Sequence, residues 1–338
     1  RVPLVILATM ATIIASQAVI TGAYSLTQQA IQLGLLPRMT IRQTSAGHAG
    51  QIYLPVINWL LLAGVIVLVI AFQTSSALAV AYGIAVTGTM VMTTLLASVV
   101  VHKLWGWSLA KSALFIAPFL LLDLIFFGAN ALRILEGGWV PLLVASIILL
   151  AIWVWVRGKR LIADYETAHA VPMDEIANIL SANPPARVKG TAVFLTANPD
   201  AVPNALLHNL KHNQVLHERN LIVTIKTASV PHVPVEERLT EGRINDDFSR
   251  VLLRYGFMDT PDVPGDLGMC EGGDRHLGDP MRTSYYIGRN SLRASRDEGL
   301  PFWQDMILIF LQKNAADPTD FFRIPPNRVV ELGVQVVV

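Results

Sequence analysis

Apolar positions follow one another almost without interruption from Val2 to Val156, and after Arg157 they thin into short alternating or periodic runs among charged residues. The change divides the chain by solvent, into a membrane part at residues 1–157 and a water-soluble part at residues 158–338. In the first part about five segments are long enough to cross a hydrocarbon core of roughly 30 Å at 1.5 Å per residue. They are predicted at residues 2–26, 52–72, 77–101, 112–132 and 139–156. The amphipathic stretch from Ser25 to Leu36 predicts that the first helix runs on into the interface until Pro37 ends it.

Connections between the spans alternate in character. One kind carries Arg38, Arg42 and His48, then His102, Lys103 and Lys111, then Arg157, Lys159 and Arg160. The other is short and nearly uncharged, Gln73 to Ser76 and Arg133 to Gly138, the latter balancing Arg133 with Glu136. Basic loops favour the cytoplasm, so they and the whole C-terminal part are expected inside the cell, with the residues before Val2 outside. Trp105, Trp107 and Trp139 suit interfacial belts and equally suit ordinary packing.

Beyond Arg160, Thr191 to Leu195 and Leu221 to Ile225 are β-rich, while Pro203 to Asn213 and Pro301 to Lys313 read as helices opened by proline. Ser249 to Tyr255, Ser284 to Ile287 and Val329 to Val338 are further strand candidates, and Asp259 to Gly278 reads as an irregular excursion. Strands mixed with helices predict a small α/β or α+β domain.

Averaged over 338 residues, 53% hydrophobic and 15% charged describe neither part, because nearly all the charge follows Arg157. A net charge of +1 argues against nucleic acid as a partner. The single cysteine, Cys270, excludes an intrachain disulfide and fits a cytosolic setting. Arg1 opens the chain without a methionine and the apolar run passes Ala23 without a cleavage signal, so the sequence reads as starting inside a longer protein.

Polar residues at helical spacing within an apolar span mark an inward face. In the first span Gln17, Thr21, Tyr24 and Gln28 share such a face with Ser16 beside them, and their oxygens suit a cation losing its water. The same residues, with Gly22, also suit interhelical hydrogen bonding and close packing. The third span is densest in small and polar residues: Tyr82, Thr89 and Thr93 fall near one face, Thr87 and Thr94 near another. Gly83 and Gly88 permit either close helix contact or local unwinding of the kind that exposes carbonyls in transporters. Asp123 and Glu136 are the only acids between Val2 and Val156, and Asp123 stands mid-span, five residues after Pro118. A carboxylate there costs roughly 2.5–3.5 kcal/mol on insertion scales, so it serves either proton or cation handling or a structural anchor.

In the soluble part His208 and His212 have the i, i+4 spacing of zinc ligands, but no HExxH order and no nearby cysteine completes a site. Gly265, Gly268, Gly272 and Gly273 follow no strand as a phosphate loop would. No nucleophile and base constellation is present, and no enzyme activity or cofactor is expected.

Four segments together carry a resemblance. Ala15 to Ala30, Ala81 to Met90, His208 to Glu218 and Ile324 to Gly333, in this order and spacing, are similar to the Kup/HAK/KT potassium transporter family over essentially the whole chain. The resemblance implies proton-coupled uptake of K+ with H+ across the bacterial inner membrane by alternating access. It also implies a LeuT-like, APC-type inverted-repeat bundle of about twelve spans, of which this chain would carry the last five or so, with the missing N-terminal spans as partners. Tyr82 becomes the leading cation-site residue, and Ser16, Gln17, Thr21 and Tyr24 line or support the core. The cytosolic portion resembles a universal stress protein-like α/β domain, implying a homodimer and a regulatory nucleotide. The rival readings are an amino-acid permease of the same fold and a membrane-anchored nucleotide-binding regulatory domain.

Overall fold

The computed structural model describes residues 2–43, 52–168, 170–269, 281–293 and 299–337. Arg1, His48, Cys270, Gly272 and Gly273, and with them the end of the Asp259 to Gly278 excursion, lie outside the described residues, as does Val338.

Five helices among the described residues are long and apolar enough to cross a membrane. They are α1 (Val2–Gln32), α2 (Pro55–Phe72), α3 (Ser75–Val99), α4 (Leu109–Ala131) and α5 (Trp139–Ala168). Their apolar side chains are largely exposed, as suits lipid rather than water as the solvent. Ile52 and Tyr53, placed in the second span from hydropathy, instead form β2 and pair antiparallel with β1 (Arg42–Gln43). The helix starts at Pro55, whose missing amide costs nothing in a first turn. Helix α5 runs unbroken for 30 residues, so the change of solvent at Arg157 is not a change of backbone structure.

By contacts the chain forms two compact units, Asn58–Ala151 and the combination of Arg1–Ile57 with Ile152–Val338. In the first, α3 and α4 pack antiparallel through small residues of α3. A Cβ on Gly83 would lie 2.4 Å from Asn130 Oδ1, and one on Gly88 would lie 3.6 Å from Phe127 Cε2. Of the two roles open to these glycines, close contact is realised: α3 stays helical through both, before a single π turn at Val100–Leu104. Thr74 caps its start by accepting from the Ala77 amide, and α4 continues through Pro118.

The second unit holds a six-stranded sheet, built from α6 (Met173–Ala182), β3 (Ala186–Thr196), α7 (Asn204–His208), β4 (Val215–Thr227), α8 (Val235–Arg238), β5 (Leu239–Arg243), β6 (Phe248–Tyr255), α9 (Val263–Leu267), β7 (Thr283–Arg293), α10 (Phe302–Lys313), α11 (Pro318–Phe321) and β8 (Val329–Val337). The spatial order is β5-β6-β4-β3-β7-β8, parallel throughout except at the β5 edge. Alternate residues of β3 feed opposite faces: Val193 joins Val223, Leu253 and Tyr285 in one core, and Ala192 and Phe194 join Ile222, Phe248 and Met173 in the other. Burial on both faces accounts for the near-continuous apolar runs of β3 and β4.

This unit also includes the C-terminal end of α1. Tyr24, Ile31 and Leu54 form an apolar cluster that Phe321 joins. Gln32 Nε2 donates to the Asp259 carbonyl at 3.3 Å, Ala316 N donates to the Arg38 carbonyl at 2.7 Å, and the Arg38 guanidinium lies over Phe322 at 5.0 Å. Burial lowers the pKa of Arg38, with the charge of Asp317 opposing the shift.

Candidate cation site

Helices α3 and α4 border an open groove of about 490 Å³ lined by Tyr82, Ala85, Val86, Thr89, Met90, Thr93, Thr94 and Asp123. Tyr82, Thr89 and Thr93 reach it because spacings of seven and four residues return to one helix face. Thr94, which a helical wheel of α3 alone puts on another face, joins them through its neighbour. Its Oγ1 donates to Asp123 Oδ2 at 2.5 Å, and Asp123 is only 7% exposed.

The hydroxyls of the groove are polarised in a useful sense. Thr89 Oγ1 donates to the Ala85 carbonyl and Thr93 Oγ1 to the Thr89 carbonyl, each at 2.8 Å. A threonine whose proton is committed backward along its helix keeps its lone pairs as acceptors. Such oxygens, with the Tyr82 hydroxyl and a carboxylate, are the hard ligands that replace water around a monovalent cation. Apolar Ala85, Val86 and Met90 supply the rest of the lining.

The other predicted residues are placed elsewhere. Thr87 is 8% exposed and donates to the Gly83 carbonyl at 2.8 Å, outside the groove lining. Ser16, Gln17 and Thr21 are exposed positions of α1 in the other compact unit, with Thr21 Oγ1 donating to the Gln17 carbonyl. Tyr24 is buried edge-on to Tyr53, 6.0 Å between ring centroids. Asn130, which fills the space over Gly83 and donates to the Phe126 carbonyl, was not singled out from sequence; near the end of a span it carries no distinguishing spacing.

In the sheet domain the His208 and His212 rings stack at 5.7 Å, and no group of three or more His, Cys, Asp or Glu side chains gathers among the described residues. Gly265 lies in the first turn of the short helix α9, its amide donating to Oδ1 of the capping Asp262 at 3.0 Å. The sheet changes direction of growth between β3 and β7, the place where open α/β sheets receive ligands at their carboxyl ends. There β3 leads into Ala197-Asn198-Pro199-Asp200, without a glycine-rich turn, and Asp200 is paired with Arg250 at 3.1 Å.

Residues 1–160 match the model of the K+ potassium transporter integral membrane domain, and residues 189–338 match that of the K+ potassium transporter C-terminal domain. Among curated relatives, a probable potassium transport system protein Kup of Caulobacter vibrioides is 53% identical over 338 residues, all of this chain and 51% of the relative. A Kup 1 protein of Rhizorhabdus wittichii is 59% identical over 339 residues, covering 100% of this chain and 52% of the relative. A Kup 2 protein of Novosphingobium aromaticivorans is 55% identical over 336 residues, covering 99% and 52%. The chain spans about half the length of these relatives.

Proposed function

The chain belongs to the K+ potassium transporter family, a family of multi-pass membrane proteins, and on that premise we propose that it contributes the α3–α4 groove to a potassium uptake pathway in a bacterial inner membrane. The observation that carries this reading is the gathering of Tyr82, Thr89, Thr93 and Asp123 around one groove. Potassium exchanges water for the oxygens of Tyr82, Thr89 and Thr93, while Asp123, oriented by Thr94, is the protonatable group that couples it to the proton gradient. Ser16, Gln17 and Thr21 of α1 support the path, and Tyr24 supports its packing. The remaining ligands belong to spans in the half of the relatives that this chain does not match, in a LeuT-like bundle working by alternating access. The sheet domain faces the cytoplasm.

Rubidium uptake by a potassium-uptake-deficient bacterium carrying the full-length gene tests this. Tyr82→Phe and Thr89→Val are expected to raise the half-saturating concentration by about tenfold, the effect of losing roughly 1.4 kcal/mol of cation binding. Wild-type uptake by both variants would remove the groove from the path.

A second reading concerns the sheet domain alone. Its parallel strand order, with a switch point between β3 and β7, favours a regulatory nucleotide at the carboxyl ends of those strands, acting in a homodimer. Equilibrium dialysis of adenine nucleotides against the purified full-length protein tests it, and no retention at millimolar nucleotide would sink it.

A further inference from the structure

Helix α10 is apolar on two sides: Leu308, with Ile307 and Leu311, packs in a small core, and a second set of apolar residues faces outward. The face turned into the fold carries Gln304 and Asp305, 3% and 1% exposed, beside Leu308, whereas Trp303, Met306 and Phe310 on the opposite face are 48, 54 and 65% exposed. On the surface of a domain surrounded by water, that outer face would be polar. With 100° per residue, positions 303, 306, 310 and 313 fall within a wedge of about 100°, so this is one continuous apolar stripe ending in Lys313.

Its position says what covers it. The Trp153 and Trp303 rings stack at 6.5 Å, and a Cβ on Gly158 would meet Leu308 Cδ2 at 2.5 Å. These contacts are five residues apart on each helix, so α10 and α5 advance side by side in the same direction. Val154 and Trp155 share a small core with Leu300 and Leu308, Arg157 Nη1 donates to Gln304 Oε1 at 3.1 Å, and the Arg157 guanidinium lies over Trp153 at 5.4 Å. Val156 is the last residue of the apolar run before Arg157, Lys159 and Arg160. Trp303 therefore stands level with the last turn of the span, and Phe310 about 10 Å further out at 1.5 Å per residue, the depth of the headgroups. The stripe continues the lipid-facing surface of α5, where Trp153 is itself 48% exposed.

We propose that α10 is an interfacial anchor: its Trp303, Met306 and Phe310 face lies in the bilayer leaflet from which α5 emerges, with Lys313 reaching the lipid phosphates. The proposal rests on α5 spanning the membrane, and it extends the lipid contact of this chain to the sheet domain. Tryptophan at the interface and a basic residue at the polar end of an apolar stripe are the arrangement such helices use.

The test is carried out on the full-length protein in nanodiscs of phosphatidylethanolamine and phosphatidylglycerol. Bimane is attached, after Cys270 and any further cysteine of the full-length protein are replaced by Ser, at Trp303→Cys, Met306→Cys, Phe310→Cys or, as an aqueous reference, Asp246→Cys, whose side chain is 92% exposed. Acyl-chain spin-labelled lipid is expected to quench the three stripe positions at least about fivefold more than the reference, most at 303 and least at 310, as a partly immersed helix requires. Iodide quenching equal to that at Asp246 would place the stripe in water. Protection from both quenchers would mean a protein cover, a second copy or another part of the transporter. Either overturns the proposal. The unsubstituted protein, photolabelled with a diazirine-bearing phospholipid, provides a check free of variants: lipid adducts are expected on residues 302–313, and their absence while the spans are labelled also overturns it.

Discussion

Thr94 and Asp123 join α3 and α4 at the groove between them, the threonine hydroxyl donating to a carboxylate that is 7% exposed. The residue either handles the transported ions or anchors α4 against α3, and substitution separates the two. Asp123→Asn keeps the size and can still accept from Thr94, but it cannot carry a proton. It is expected to lower proton-driven rubidium uptake at least about a hundredfold at unchanged protein level, the lower end of the range by which a positioned acid or base acts. Thr94→Val should lower it less. Uptake measured in inverted and right-side-out vesicles with imposed pH gradients checks both, and a fully coupled Asp123→Asn variant would leave the residue as an anchor only.

Gly83 lies under Asn130 with room for no side chain. Gly83→Ala must push the Asn130 amide aside, at a cost of about 1–3 kcal/mol for an overpacked contact. A lower Tm in detergent is expected, and Gly83→Ala with Asn130→Ala should recover most of it. The double-mutant cycle then reports a favourable coupling between the two changes.

Burial opposes ionisation of Asp259, but hydrogen bonds from His232 and the Val233 and Gly256 amides, with the charge of Arg238, outweigh it and hold its carboxyl below the ordinary 3.8. A depressed folded pKa means stability that is complete above pH 3.8 and drains away as pH falls below it toward the folded value. Asp259→Asn is expected to cost about 1–3 kcal/mol near neutral pH, as loss of a satisfied buried acceptor does. It should also flatten the acid limb of thermal stability as pH falls below 3.8, where the lost contribution would otherwise drain away. Since the Asp259 carbonyl accepts from Gln32, proteolysis after α1 should rise in parallel.

Gly158 admits Leu308 into contact with the α5 backbone. Gly158→Ala is expected to destabilise the α5–α10 seam by about 1–3 kcal/mol through overpacking, and Leu308→Ala in the same chain to relieve part of it. Hydrogen exchange of the α10 amides measures both.

Much of this architecture is legible in the sequence for definite reasons. Lipid demands long apolar runs, so the helices stand out, and sheet strands buried on both faces leave runs such as Leu221 to Ile225. Asp123 draws attention because an acid in a span is costly. What a single chain cannot display is the neighbour. Thr94 looks misplaced on the wheel of α3 until α4 brings Asp123 to it, and Asn130 looks ordinary until Gly83 leaves space for it. Helix α10 is recognisable from its period and its proline, yet the sequence does not display which of its apolar residues are covered, since Leu308 meets α5 while Trp303, Met306 and Phe310 remain exposed. The helical extension of α5 past Arg157 is invisible for a related reason: charge marks where solvent changes, not where the backbone does.

The shared packing of Val154 and Trp155 with Leu300 and Leu308 bears on how the two materials of this chain are assembled. A small cluster apart from the two sheet cores joins α10 to residues of a membrane span. Excised at Arg157, the sheet domain would lose the α5 half of the cluster and present Trp303, Met306 and Phe310 to water, a recipe for self-association. The packing surface of α10 is therefore complete only where the last turns of α5 stand beside it.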